Sequence, residues 1–319
     1  MAPSVNSDFF IYNDQAQTAY LERLQMVLDV FNAASNNTIR FVNELIEGDF
    51  RQRAFYDIGG EIVDRDVNSN APVDIGSIGS GEHVGVKKPW KYLPIAATLE
   101  SFARRARSIE EFSQLVGYNL ADATMKYWIN AATTALNAAI RTATPSMVVT
   151  GKTISTDGKK VITSAFRKFG DRFPRIAALV MHSSSYIDFM DQAIDNKVYE
   201  EAGVVIYGGN PGTMGKPVVM TDTCPVDVIF GLQPGAVTIT ESQTPVLRQF
   251  EINDIENLAV GIRAEGVFNV ELLGYSWDMA AGGKNPTMAK LGNQNSWEKV
   301  AKDNKATAGV IIDLNGKTS

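Results

Sequence analysis

Residues 108–142 read SIEEFSQLVGYNLADATMKYWINAATTALNAAIRT, with Phe112, Leu115, Val116, Ala121, Met125, Trp128, Ala132, Leu136 and Ile140 as the apolar positions. That spacing predicts one helix with a continuous apolar stripe. Ser108 with Glu111 three residues on forms a capping box at its start, and Pro145 lies just past its end. Gly117 is the one weak point in the run. At 1.5 Å per residue the helix is about 50 Å long, well beyond the average globular helix. Its second half alternates alanines with Trp128 and Leu136, which lets other backbone elements lie close against it.

Upstream, Leu21, Leu24, Leu28, Phe31, Phe41 and Leu45 follow a 3.6-residue period, with Asp14 placed to cap the start. Asn36 and Asn37 compete for backbone hydrogen bonds, so one helix from Gln15 to Leu45 and two helices parted near Ser35 both remain open. From Phe50 to Pro94 the texture turns to short β-type runs such as Glu61-Ile62-Val63. Asn68-Ser69-Asn70, Pro72 and the glycines 76, 79, 81 and 85 interrupt them. This stretch cannot bury a core of its own. It exceeds the ~12–15 residues of a structureless connection, so it is either disordered or a long hairpin with a use, and its glycines read as flexibility.

Downstream of Pro145 the pattern is α/β in short pieces. A helix near Ser164–Phe169 precedes a buried strand Ile176–Met181 and a helix after Ser183-Ser184-Ser185, for which Ser185 and Asp188 form a second capping box. Then come Val204–Tyr207, a turn at Gly208–Gly212, and strands at Pro217–Met220, Val228–Phe230 and Val237–Thr240. A closing pair, Leu258–Arg263 and Val267–Tyr275, is separated by Ala264-Glu265-Gly266. The fold class is therefore α+β.

The chain of 319 residues is 45% hydrophobic and carries 30 basic and 36 acidic residues, a net charge of −6. This places it among globular proteins and argues against a protein whose task is to neutralise phosphates. One cysteine, Cys224, and two histidines, His83 and His182, cannot assemble a disulfide framework or a Cys/His zinc site, which fits a reducing compartment. The N-terminus lacks a basic segment followed by an apolar core, and no uncharged apolar run reaches the ~18 residues of a membrane span, so a soluble, unsecreted chain is expected.

Catalytic chemistry finds little support. Asn210–Pro217 ends in Gly-Lys, yet Asn210 stands where a phosphate loop has its first glycine and Pro217 where it has its magnesium-binding hydroxyl. His182 beside Ser183–Ser185 reads as a strand end meeting helix caps, not as an acyl-transfer site. Cys224 has no histidine nearby in sequence to activate it. Glu200-Glu201 and Asp188/Asp191/Asp195 are spaced as solvated faces are, and Gly76–Gly81 has the wrong glycine order for a dinucleotide fingerprint. No catalytic residue, cofactor or metal site is expected. The densest positive charge lies in Lys87, Lys88 and Lys91, at the base of the long loop, and in Arg104, Arg105 and Arg107. Solvated surface accounts for both groups; the sharper expectation is contact with acidic patches on neighbouring copies of the chain.

The order of parts (an N-terminal helix, a long β-rich loop, one very long helix, a compact α/β unit and returning strands) resembles the tailed-bacteriophage major capsid proteins with the Hong Kong 97 fold. Ala177–Tyr186 resembles that family's strand running into a short helix. Met214-Gly215-Lys216-Pro217-Val218-Val219-Met220 is similar to its aliphatic-Gly-x-Pro-Val-Val strand. Ile229–Leu232 with Gly235-Ala236 resembles the strand after it, and Ile262-Arg263-Ala264-Glu265 the closing one. Asn295-Ser296-Trp297 and Ala308-Gly309-Val310 resemble capsid C-termini.

The resemblance implies an N-terminal arm over 1–49, an extended loop over 50–97, and a peripheral domain over 98–145 and 253–284 with its spine helix at 108–142. It further implies an axial domain over 146–252 and a C-terminal segment over 285–319 without a set place. It implies a structural protein of the virion, assembled in the bacterial cytoplasm, whose copies form the hexamers and pentamers of an icosahedral shell around packaged double-stranded DNA. Portal, scaffolding and decoration proteins are the implied partners, with no membrane. Since the arm-like part starts almost at Met1, any scaffold is expected to be a separate protein. An encapsulin-like nanocompartment shell, a soluble α/β enzyme, and a tail or decoration protein are the rival readings.

Overall fold

The computed structural model of the chain describes residues 6–57, 64, 68, 79–104, 109–158, 160–195, 216–252 and 256–315. The first helix, α1 (Asn6–Ala34), places Ala16, Tyr20 and Leu24 on one buried face. It begins well before Asp14, which therefore lies inside the helix and not at a cap. Asn36 and Asn37 both adopt φ of 55°, a left-handed conformation that asparagine tolerates, and the helix ends there. The next element is a strand, β1 (Ile39–Asn43), so the helical period expected to continue to Leu45 is overruled. The reason is tertiary: β1 adds in parallel to β8 (Val237–Ile252), Ile39 opposite Val237 and Phe41 opposite Ile239.

The long β-rich loop is a hairpin at its base. Strand β2 (Phe50–Asp57) pairs antiparallel with β3 (Gly79–Thr98) from Phe50↔Val86 to Asp57↔Gly79. The expected run Glu61–Val63, with Pro72 and Gly76, lies outside the described residues. β3 is 20 residues long, and its second half leaves β2 to pair with β9 (Ala259–Leu272) from Val86↔Val270 to Thr98↔Ala259. Gly79, Gly81 and Gly85 are thus strand residues, and flexibility does not explain Gly85. A Cβ there would stand 2.4 Å from Glu271 Cγ, so the glycine makes room for a buried side chain.

After the short α2 (Leu99–Arg104) comes α3 (Ile109–Ala143), at the position the apolar spacing predicts; Ser108 lies outside the described residues. Its alanines 131, 132, 135, 138 and 139 are buried, and elements do lie close against them. Gly117 is where α1 crosses: a Cβ there would meet the Ala16 carbonyl oxygen at 2.5 Å.

The rest of the chain runs β4 (Val148–Val149), α4 (Ile154–Asp157), α5 (Lys160–Phe169), β5 (Ala178–Met181), α6 (Ser183–Asp195), β6 (Val218–Met220) and β7 (Val228–Leu232), then β8 and β9. It closes with β10 (Tyr275–Trp277), α7 (Met279–Gly282), α8 (Met288–Leu291), β11 (Trp297–Lys299) and β12 (Gly309–Asp313). The expected strand Val204–Tyr207 and turn Gly208–Gly212 lie outside the described residues. The expected pair around Ala264-Glu265-Gly266 is one continuous strand, β9, since these residues pair on both sides, Ala264 with Tyr92 and Leu247.

Two sheets result. In one, β1-β8-β9-β10-β11 are joined by the β2–β3 hairpin through β9; in the other the order is β4-β12-β7-β5-β6. β8, expected within the 146–252 unit, therefore belongs to the first sheet. The segment 285–319, expected to have no set place, supplies β11 to one sheet and β12, an interior strand, to the other. Trp128 stacks on Phe41 with centroids 5.7 Å apart and meets Phe268 tilted at 6.1 Å, which ties the first sheet to α3. Trp277 and Trp297 meet edge to face at 5.0 Å, and each indole N–H reaches a backbone carbonyl, of Gly283 and Leu291.

Candidate functional site

The expected basic site lies where the hairpin joins the sheet. Successive residues of β3 point to opposite faces, and both faces are covered there, so neighbouring lysines end in different buried places. Lys87 directs its ammonium to the Ile46 carbonyl, which also accepts from the Ser242 hydroxyl at 3.2 Å. Lys88, 2% exposed, donates to the Pro286 carbonyl at 3.0 Å and stands 5.7 Å over the Tyr127 ring. Burial holds its pKa below the usual lysine range. Both lysines, expected to face neighbouring copies, spend their charge inside the chain. Lys91, beyond the covered region and opposite Glu265, is exposed. Arg104 is exposed and pairs with Glu100 one helical turn away, whereas Arg105 and Arg107 lie outside the described residues. The six residues do not form one patch.

Other features of this region carry no sequence motif. Trp90 and Tyr92 follow Lys88 on the helix-facing side of β3, and with Leu120, Ala123, Thr124 and Tyr127 of α3 they line a groove. The Tyr92 hydroxyl donates to Asn119 Oδ1 at 2.7 Å across it. Leu93, Ile95, Leu99 and Leu258 stand exposed toward the far end of β3 and β9. On the opposite face Arg51 bridges Glu44 at 2.8 Å and Glu271 at 3.4 Å, and Glu271 accepts from Asn269 at 2.9 Å. The alternation along β3 was a readable signal for the groove; the partners on α3 were not.

The residues weighed for catalysis have structural uses. His182 Nδ1 accepts the Ser184 backbone N–H at 3.1 Å and lies 2.8 Å from its hydroxyl, so the histidine caps α6. Helix α6 starts at Ser183, and Ser185 turns its hydroxyl to the Val226 carbonyl, so the expected Ser185/Asp188 capping box does not form. Asp222 comes no nearer to His182 Nε2 than 4.0 Å, beyond hydrogen-bond reach. With Nδ1 occupied by the cap, this His, Ser and Asp set is not arranged for acyl transfer. Cys224 is buried, its Sγ 3.6 Å from the Val228 carbonyl, and burial pushes the thiol up to about 12. Lys216, the lysine of the phosphate-loop-like segment, donates to the Pro174 carbonyl at 3.1 Å. Among the described residues no group of three or more His, Cys, Asp or Glu could hold a metal ion, and no helix is long and apolar enough to cross a membrane.

Comparison with known proteins bears on the whole chain. Residues 8–311 match the model of the family described as Gp13-like, major capsid protein 13-like. Among solved structures, the chain is similar to one from Microbacterium phage Oxtober96, with TM-score 0.52 and 12% identity over 75% of this chain and 84% of that one. It is also similar to the capsid of cyanophage P-SCSP1u, with TM-score 0.50 and 12% identity over 74% and 84% of the two chains. The capsid asymmetric unit of cyanophage Pam1 gives TM-score 0.50 and 14% identity over 83% and 89%. At these identities the likeness is one of fold. No curated protein matches the chain by sequence.

Proposed function

The chain belongs to the Gp13-like family of major capsid proteins, and from that premise we propose how this subunit serves a shell. It is a structural capsid protein of a tailed phage with the Hong Kong 97-type fold, and its place is the virion capsid. The observation that carries the reading is the family match over residues 8–311.

In this reading the β2–β3 hairpin is the extended loop that reaches over a neighbouring copy, and α3 is the spine of the peripheral domain. The five-stranded sheet with α4 to α6 is the axial domain, and α1 belongs to the N-terminal arm. Copies close into hexamers and pentamers of an icosahedral shell around double-stranded DNA. Extended arms suit such heterologous contacts, which need not be strong singly because many must break together. The net charge of −6 supports a wall that encloses DNA without gripping it. Portal, scaffolding and decoration proteins are its partners, and assembly takes place in the host cytoplasm. The subunit has no enzymatic role, a reading supported by the family and by the capping and packing duties of His182 and Cys224. The family match favours neither the encapsulin-like shell nor the soluble enzyme.

Electron microscopy of the purified full chain, with and without candidate scaffold, tests this after size-exclusion chromatography with light scattering. Closed shells, or hexamers and pentamers, are expected; a small monodisperse oligomer even with scaffold supplied overturns the reading. Of the six basic residues, Lys91 and Arg104 are the described ones that stand exposed, Arg104 in its ion pair with Glu100. Lys91→Glu with Arg104→Glu is expected to lower assembly yield and change its salt dependence; an unaltered yield and salt profile removes both from the interface.

A further inference from the structure

Glu241 of β8 sits where α1, α3 and the first sheet meet, and it is 5% exposed. Its Oε1 accepts from the Tyr20 hydroxyl of α1 at 3.3 Å, and Thr124 of α3 lies beside that phenol. Along the same row of the sheet its neighbours are Asn43 of β1 and Phe268 of β9, with Lys88 of β3 on the far side of Phe268. That ammonium is already given to the Pro286 carbonyl, and Tyr127 of α3 packs against it. Arg23 of α1 and Asp122 of α3 pair with each other at 3.2 Å, and Glu22 of α1, Arg40 of β1 and Lys126 of α3 are exposed. Among the described residues, then, the buried carboxyl has a neutral phenol for company and no cation bonded to it.

Of the two helices that pack on β8, α1 supplies the carboxyl's hydrogen-bond partner. α1 packs on α3, β1 and β8, and it enters β1 through the two left-handed asparagines Asn36 and Asn37. If α1 lifts, water reaches Glu241, and its pKa falls back toward the ordinary carboxylate value.

We propose that the docking of α1 is proton-linked: Glu241 takes a proton from solvent when Tyr20 covers it and returns that proton when α1 lifts, making α1 a latch that closes more firmly as pH falls. Burial pushes the docked carboxyl from 4.5 up to about 7, opposed in part by the Tyr20 hydrogen bond. Between those two values the docked state binds more protons than the lifted one, so docking weakens as pH rises through the window. The slope is at most about tenfold in the docking equilibrium per pH unit, with flat limits on either side. The inference stands on the burial of Glu241 and its hydrogen bond to Tyr20, and does not depend on the shell role.

Amide hydrogen exchange of α1 in the full-length protein from pH 5 to 8, normalised for intrinsic exchange, tests it. The opening constant of α1 is expected to rise with pH by up to about tenfold per unit and level off above pH 7. Glu241→Gln is expected to hold α1 closed with no such dependence. Tyr20→Phe is expected to keep the dependence with its midpoint moved upward, because the donor that favours the carboxylate is gone. A flat wild-type profile, a Gln variant with the wild-type slope, or an unmoved midpoint in the Phe variant overturns the proposal. Should the Gln variant not fold, carbon-13 carboxyl titration of wild-type Glu241 decides: a midpoint near 7 supports the latch and one near 4.5 overturns it.

Discussion

Two lysines three residues apart on one strand have opposite fates. Lys88 is a cation shut between the sheet and α3 with a backbone carbonyl and a ring for partners, while Lys91 reaches water. Replacing Lys88 with Met removes a desolvated charge and frees one carbonyl, so stability in urea is expected to stay within about 1 kcal/mol of wild type. Lys88→Glu, which buries an anion against the same carbonyl, is expected to lose at least ~3 kcal/mol. Lys91→Glu is expected to change subunit stability by less than ~0.5 kcal/mol. Urea midpoints that rank the three differently would refute this account of β3. Cys224 offers a second check. With its thiol pushed up to about 12, the thiolate fraction at pH 8 is about one in ten thousand. A colorimetric thiol reagent is therefore expected to react only after denaturant is added, and rapid native labelling would contradict the burial.

At the scale of elements, the crossing of α1 over α3 depends on a missing side chain. Gly117 is a poor helix residue, and on an isolated helix alanine would be better by about 1 kcal/mol. Here its Cβ would press on the rigid Ala16 carbonyl, so Gly117→Ala is expected to destabilise by roughly 1–3 kcal/mol in equilibrium unfolding. A gain in stability would mean that α1 does not pack there. The helix itself was legible because its apolar period runs for 35 residues and outweighs one glycine. β1 was not, because Phe41 and Leu45 fit a helical period as well as a strand, and only pairing with β8 decides between them. The same ambiguity hid β9: Ala264-Glu265-Gly266 has turn composition, yet partners on both sides keep it extended.

For the whole molecule, the stretch from Trp297 to Asp313 is built into both sheets. β12 lies between β4 and β7, with all five of its residues buried, and Asp313 pairs with Arg141 at the end of α3 at 2.6 Å. A chain ending at Thr307 exposes the inner edges of both neighbouring strands. It is expected to be recovered only as aggregate, whereas a chain ending at Leu314 stays soluble. Sedimentation of the two truncations after expression checks this, and a soluble, folded shorter chain would show that the five-stranded sheet closes without β12.

The sequence by itself determined the α+β class, the long helix, the turn chemistry of Asn36-Asn37 and the order of parts that resembles the capsid family. Each of these rests on local periodicity, turn chemistry or serial order, which need no partner to be read. Tertiary structure alone decided which strands share a sheet, why Gly85 and Gly117 must be glycine, and that Lys87 and Lys88 face inward. The physical reason is that burial belongs to the space between elements: whether a lysine meets water or a carbonyl depends on what folds over it from 41 or 198 residues away.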